Sequence, residues 1–121
     1  MSTAEHQLFV RTVLDLYLGL PHSAARRPSL HDRRLAEQLF TRGVPLDLIH
    51  TALHLATLRR FNRPLDAPLL QPVRSLHYYG PIIDELLASP PVPDYVRYIH
   101  ARFHTLVDRP DGHSATLSDG R

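Results

Sequence analysis

The sequence predicts an all-α fold, a single compact domain of about five helices with a proline-rich strap between the third and fourth helices. Apolar residues recur at spacings of three and four along most of the chain, and Gly or Pro interrupts them where helices end. No segment shows the period of two that strands show. The 121 residues fit one domain, of which we expect 1–107 to be helical and the polar segment 108–121 to be a disordered tail.

The first two helices have recognisable start and stop residues. The first is predicted from about Thr3 to Leu18, because a Gly-Leu-Pro run follows its apolar stripe. Ser29 followed three residues later by Asp32 has the spacing of a capping box and predicts the start of the second helix. We expect Gly43 to end that helix in the left-handed conformation that glycine adopts readily.

The third helix is predicted from Pro45 to Arg60 or Phe61. Its apolar residues cover most of the helix circumference, which indicates burial on more than one side. The following segment, 62–74, contains three prolines, so it cannot form a regular helix and is expected to be an extended strap. The residues expected to anchor this strap to the core are Leu65, Leu69, Leu70 and Val73.

The last two helices lie beyond the strap. The fourth is predicted after Ser75, with Gly80-Pro81 either kinking it or marking a later start. The fifth starts near Pro93 and carries a packing seam at alternating spacings of three and four. We expect the seam to pack against the core or against a second subunit. Its residues are Val96, Ile99, Phe103 and Leu106.

Composition excludes several classes of protein. The chain has no cysteine, so it can form neither disulfides nor thiolate metal sites. No apolar run is long enough to span a bilayer, and the first residues lack the pattern of a signal peptide. We therefore expect a cytoplasmic protein without membrane contact. No Gly-rich phosphate loop is present, and the acidic pair Asp84-Glu85 is poorly arranged for acid–base catalysis, so no enzymatic activity and no cofactor are predicted.

The basic residues are all arginine and are unevenly distributed. From Arg26 to Arg63 eight arginines face three acids, a net charge of +5, whereas the rest of the chain carries −3. A basic half of this kind is a mild signal for nucleic-acid binding, and guanidinium groups suit phosphate. The alternative is an ordinary surface on which opposite charges pair within the molecule.

The segment from about 30 to 61 has the layout of a helix-turn-helix unit, in which two helices are joined by a turn containing Gly. In that motif the second helix reads base edges from its N-terminal half, while positioning contacts go to phosphates. The alternative is a helical hairpin that belongs to the core. The candidate nucleic-acid-binding residues are Arg26, Arg27, Arg33, Arg34, Arg42, Thr51, His54, Arg59, Arg60 and Arg63.

The run DRRLAEQLFTRGVPLDLIHTALHLATLRR, followed by PVRSLHYYGPIIDELL, covers about Asp32 to Leu87. It resembles small helical, helix-turn-helix-like proteins of bacterial mobile elements and plasmids, and accessory parts of replication initiators. The resemblance implies a role in DNA transactions, with Arg59, Arg60 and Arg63 near the nucleic acid. It implies no catalytic residue.

Nine histidines are many for a chain of this length, and four of them form two pairs at i, i+4. His50 and His54 share one face of the third helix, and His100 and His104 share one face of the fifth. If those faces meet, the four imidazoles could bind zinc or another divalent ion. The Glu of the His-Glu-x-x-His signature is missing, so such a site would be structural. The alternative is a set of surface or half-buried histidines without metal, and we take this alternative as the prediction, so no metal site is expected.

The leading hypothesis from the sequence is a non-enzymatic, DNA-associated helical protein whose arginines contact phosphates. The alternative is a protein–protein interaction module or a small helical subunit of a larger complex. That alternative rests on the wide apolar coverage of the third helix and on the leucine-rich strap. Its partner would be another protein or a second copy of the chain.

Overall fold

The computed structural model of the chain describes residues 3–108 and confirms the all-α class. Residues 109–121, nearly all of the predicted tail, lie outside the described range. Within it, every helix is too short or too polar to cross a lipid bilayer. The elements in chain order are α1 (Thr3–Leu18), α2 (Leu30–Thr41), α3 (Leu46–Phe61), a 3₁₀ helix (Leu76–Tyr79), α4 (Gly80–Ala88) and α5 (Pro93–Val107).

Helix α3 is the centre of the fold. Eight successive residues, Thr51–Leu58, are buried, so the helix has no solvent-facing side over more than two turns. Helices α1, α4 and α5 and the 3₁₀ helix all pack against it, whereas α2 packs against α1 and the 3₁₀ helix. The wide apolar coverage of this segment predicted that burial correctly.

The start of α2 is fixed by the predicted capping box. The Ser29 hydroxyl accepts a hydrogen bond from the Asp32 N–H at 3.0 Å, and the Asp32 carboxylate accepts one from the Ser29 N–H at 2.9 Å. The same carboxylate, which is buried, also accepts a hydrogen bond from the Leu76 N–H at 2.9 Å. Asp32 therefore joins the beginning of α2 to the beginning of the 3₁₀ helix.

The turn between α2 and α3 is a Schellman motif. Gly43 has a φ of +75°, its N–H donates to the Phe40 carbonyl, and the Val44 N–H donates to the Leu39 carbonyl. Leu39 and Val44 are both buried, which supplies the apolar contact that accompanies this motif. Glycine is needed here because L side chains rarely adopt a positive φ.

The strap is held by its backbone rather than by its leucines. The Ala24 N–H donates to the Val73 carbonyl, and the Val73 N–H donates to the His22 carbonyl, both at 2.8 Å. Val73 is buried as predicted. The prediction that the leucines anchor the strap to the core is wrong, because Leu65 and Leu69 are fully exposed and Leu70 is 42% exposed. Prolines prevent the strap from turning these side chains inward with a helical period.

The last two helices confirm one of the two readings of Gly80-Pro81. Helix α4 begins at Gly80, with Pro81 in its first turn, and the preceding residues form the separate 3₁₀ helix. In α5 the predicted seam packs against the core, since Ile99 and Phe103 are buried. Its other two residues, Val96 and Leu106, are half-buried.

Replacing Asp32 by Ala should lower the free energy of unfolding by about 2–4 kcal/mol, because the cap is lost and the buried Leu76 N–H loses its acceptor. Urea denaturation followed by circular dichroism measures this. Glu37→Ala, a change at a half-buried acid on the same helix, serves as the control and should stay within about 0.5 kcal/mol of the parent. Equal losses in both variants would contradict the role given to Asp32.

Candidate metal centre

Three histidines from two helices converge where α5 packs against α3. His50 and His54 lie one turn apart on α3, and His100 comes from α5. One ligand nitrogen from each residue can be chosen so that all three lie within 4.8 Å of one another. The ring centroids are separated by 4.4 Å for His50–His54, 4.7 Å for His50–His100 and 4.8 Å for His54–His100.

Hydrogen bonds to His100 define which of its nitrogens is free. The Thr51 hydroxyl donates to the Asp47 carbonyl at 2.9 Å, so its oxygen is left to accept from His100 Nε2 at 3.1 Å. Neutral His100 then has an unprotonated Nδ1, which lies 2.8 Å from His54 Nδ1 and accepts its proton in a hydrogen bond. These proton positions follow from the hydrogen-bond network.

That arrangement is suited to exchange a proton for a metal ion. Thr51 holds Nε2 of His100 in a hydrogen bond, so Nδ1 of His100 points toward His54. Metal-binding imidazoles are commonly oriented in this way, by a hydrogen bond at the nitrogen that does not bind the ion. Neutral His54 can carry its proton on either nitrogen, so moving it from Nδ1 to Nε2 frees a second lone pair at the same point. The Thr51–Asp47 contact thus orients the candidate ligand His100.

Burial keeps the cluster uncharged. His54 is 4% exposed and its ring stacks on Phe103, with centroids 3.6 Å apart and planes 5° apart. Burial, followed by repulsion from His50, His100 and His104, lowers the pKa of His54 to about 3. Burial is also the main cause that lowers the pKa of His50 and of His100. Neutral imidazoles are the form that binds metal ions.

His104 does not join this cluster. Its i, i+4 spacing from His100 made it a candidate ligand, but its side chain is exposed and it lies outside the group of three converging histidines. Its ring centroid is 5.7 Å from that of His54. The cluster therefore contains three of the four candidate histidines. Sequence spacing places Thr51 and His54 on one helix but could not predict the contact of Thr51 with His100, which joins two helices.

Two of the predicted nucleic-acid-binding residues are buried, which corrects that part of the prediction. Thr51 and His54 were expected to be exposed on a recognition helix, but they are 3% and 4% exposed. Helix α5 covers the face of α3 that would have entered a DNA groove, and His100 contacts both residues. Neither side chain can reach a base.

Four of the predicted arginines are engaged within the molecule. Arg42 pairs with Asp84 at 3.5 Å, and Arg59 forms two hydrogen bonds with the Glu85 carboxylate, at 2.9 and 2.7 Å. The hydrogen bonds from Arg59 lower the pKa of Glu85. The remaining two hold the strap, with Arg60 donating to the Gln71 carbonyl and Arg63 to the Pro68 carbonyl.

The other four arginines are differently placed. Arg26 and Arg27 in the loop before α2, and Arg33 and Arg34 in its first two turns, are exposed. None of them forms an ion pair with another residue in the range 3–108. Asp32, which lies between these pairs in sequence, is turned inward and does not neutralise them.

Comparison with known proteins identifies no relative of this chain. The chain matches no protein-family model, no curated protein sequence and no solved structure. The chemistry of the histidine cluster and the placement of the arginines are therefore the basis for assigning a function.

Acid should destabilise the metal-free protein. Because burial depresses the pKa of His54 from 6.5 to about 3, the unfolded chain binds more protons than the folded chain between these values. The free energy of unfolding should fall by about 2 kcal/mol from His54 alone when the pH drops from about 7 to about 5. Urea denaturation with a chelator present at each pH measures this change.

The matched variants are His54→Gln and His31→Gln. The first removes the buried group and should reduce the loss, whereas the second changes an exposed histidine and should keep the parent's pH dependence. A parent protein that is equally stable at both pH values would contradict the prediction.

Proposed function

We propose that this protein binds a divalent transition metal ion through His50, His54 and His100. The observation that carries the proposal is the convergence of three imidazoles, two from α3 and one from α5, on one point. Imidazole suits Zn²⁺, Cu²⁺, Ni²⁺ and Fe²⁺, and three histidines leave one coordination position for water or another ligand. Zn²⁺ is the ion we propose, because three histidines and one open position form a tetrahedral site that is common for zinc.

The position of the cluster favours a structural role for the ion. His54 and His100 are 46 residues apart in sequence, and a bound ion would connect the central helix to the last helix. Metal bound only by the folded chain stabilises it, by about 2.7 kcal/mol when the free ion exceeds the dissociation constant a hundredfold. Metal supply would then control how firmly α5 is held on the core.

Metal binding can be tested on the chelator-treated full chain with Zn²⁺ and Co²⁺. We expect one ion per chain and a rise in the melting temperature of roughly 10 °C at a hundredfold excess over the dissociation constant. Co²⁺ should give visible absorption bands, which report the ligand field directly. Calorimetry gives the stoichiometry.

The variant His50→Gln should abolish both the thermal shift and the Co²⁺ bands, because it removes a half-buried ligand with little change in volume. His104→Gln is the matched control, since this histidine is exposed and lies outside the group. A thermal shift that persists in His50→Gln would show that the ion binds elsewhere.

We also propose, as a second candidate function, contact with nucleic-acid phosphates. The specific observation is the exposed basic face formed by Arg26, Arg27, Arg33 and Arg34, which has no counter-ion in the described part of the chain. Arginines of this kind form positioning contacts that do not depend on base sequence. This proposal uses the loop and α2, and it assigns no recognition role to α3.

Fluorescence anisotropy with labelled mixed-sequence DNA tests this second function, with a chelator present so that metal plays no part. Affinity should be micromolar or tighter at about 50 mM salt and fall steeply by about 200 mM. The double variant Arg33→Glu/Arg34→Glu should lose binding. Arg102→Glu reverses an exposed charge on α5 and should bind nearly as the parent does. Equal losses in the two variants would leave only nonspecific charge attraction.

A further inference from the structure

A cavity of about 340 Å³ lies between the end of α3 and the strap, on a different side of α3 from the histidine cluster. Arg60 lines it from the last turn of α3, and His22 lines it from the loop after α1. The strap contributes Arg63 and residues 64–65 and 67–70. Sites for small molecules span roughly 300–1,000 Å³, so this strap cavity is the size of a small ligand.

The charges around the strap cavity are unbalanced. Arg60 donates to the Tyr78 hydroxyl and the Gln71 carbonyl, and Arg63 donates to the Pro68 carbonyl, so the acceptors are all uncharged. Neither guanidinium forms an ion pair with any residue between 3 and 108. Within the described part of the chain, no carboxylate lines the cavity. Two positive charges therefore face a space that contains no negative charge.

Two nitrogen atoms of lining residues are buried without a hydrogen-bond partner among residues 3–108. They are Nε of Arg60 and Nδ1 of His22. Nη1 and Nη2 of Arg60 each use one N–H, toward the Tyr78 hydroxyl and the Gln71 carbonyl, whereas Nε has no acceptor among residues 3–108. Buried polar atoms in folded proteins are nearly always paired, and an unpaired donor is destabilising. Since Nε is closed to solvent, the guanidinium must turn for this donor to reach a ligand oxygen in the cavity.

The opposite wall of the cavity is apolar. Its residues are Pro64, Ala67, Pro68 and the three leucines Leu65, Leu69 and Leu70. A lining this apolar would be unusual for a site that binds phosphate alone. Leu65 and Leu69 are fully exposed to solvent, which costs free energy that contact with an aliphatic group would recover. The wall thus favours a ligand with an apolar part.

We propose that the strap cavity binds a small monocarboxylate with an aliphatic tail. The carboxylate pairs with Arg60 and Arg63, whose planar guanidinium groups match its two oxygens. The tail lies along Leu65 and Leu69. The leucines select this class over a fully polar anion, and the two arginines select it over an uncharged lipid. This site is independent of the metal centre.

Calorimetric titration of the full chain with octanoate, below its aggregation concentration, tests the proposal. We expect one octanoate per chain, with 1-octanol and inorganic phosphate each binding at least about tenfold more weakly, because each lacks one of the two recognition elements. In ¹⁵N NMR spectra the Arg60 Nε–H resonance should shift on addition of octanoate. If 1-octanol bound as tightly as octanoate, the anion site would be refuted. If phosphate bound as tightly as octanoate, the apolar contact would be refuted.

Variants locate the ligand. Arg63→Gln should weaken octanoate binding about tenfold or more, and it leaves the core intact because Arg63 is exposed and donates only to the Pro68 carbonyl. Leu69→Ser, a change at a side chain 97% exposed, should weaken octanoate but not acetate. Arg33→Gln, an exposed arginine away from the cavity, is the control. Equal weakening by Arg33→Gln and Arg63→Gln, or no octanoate binding at all, would overturn the proposal.

Discussion

The complete burial of α3 is the constraint on which the rest of the structure depends. A surface helix keeps one polar face, but Thr51–Leu58 is covered on every side, so other elements must surround it. Helix α5 covers the side that carries the histidines, and α4 covers another side with the 3₁₀ helix. Only the two ends of α3 reach the surface, and there the charged residues Asp47 and Arg59 are exposed. The histidine cluster and the strap cavity are consequences of this central position.

Much of the fold could be predicted because its signals are local. The capping box at Ser29, the left-handed Gly43 and the proline at the start of α5 act within one turn of the chain, and the structure has all three. The burial of Thr51 and His54 could not be predicted in the same way. A helix surrounded by others and the second helix of a helix-turn-helix unit show similar apolar spacing, and only the docking of α5 distinguishes them.

In the candidate site, too, the features set by neighbouring residues could be predicted, and those set by the packing of distant helices could not. Spacing at i, i+4 placed each histidine pair on one helix face, but it could not fix the rotation of α5 against α3. That rotation is set by Ile99 and Phe103, which are buried, and it brings His100 inward while His104 stays exposed. The exposure of the strap leucines could not be predicted for a related reason, since the strap is fixed at Val73 by hydrogen bonds with the distant segment 22–24 and not by burial of Leu65 and Leu69.

The way in which the strap is attached determines where the chain can be cut or lengthened. Its two ends are fixed, at the end of α3 and at Val73, while residues 64–66 and 68–70 between them are exposed. The entropy cost of closing a loop rises only slowly with the number of residues in it. Exposed loops are also the sites at which proteolytic cleavage, insertions and new chain termini are tolerated best. A single proteolytic cut there would leave two fragments that remain associated through the core. The strap is accordingly the place at which this domain can accept inserted sequence without changing its architecture.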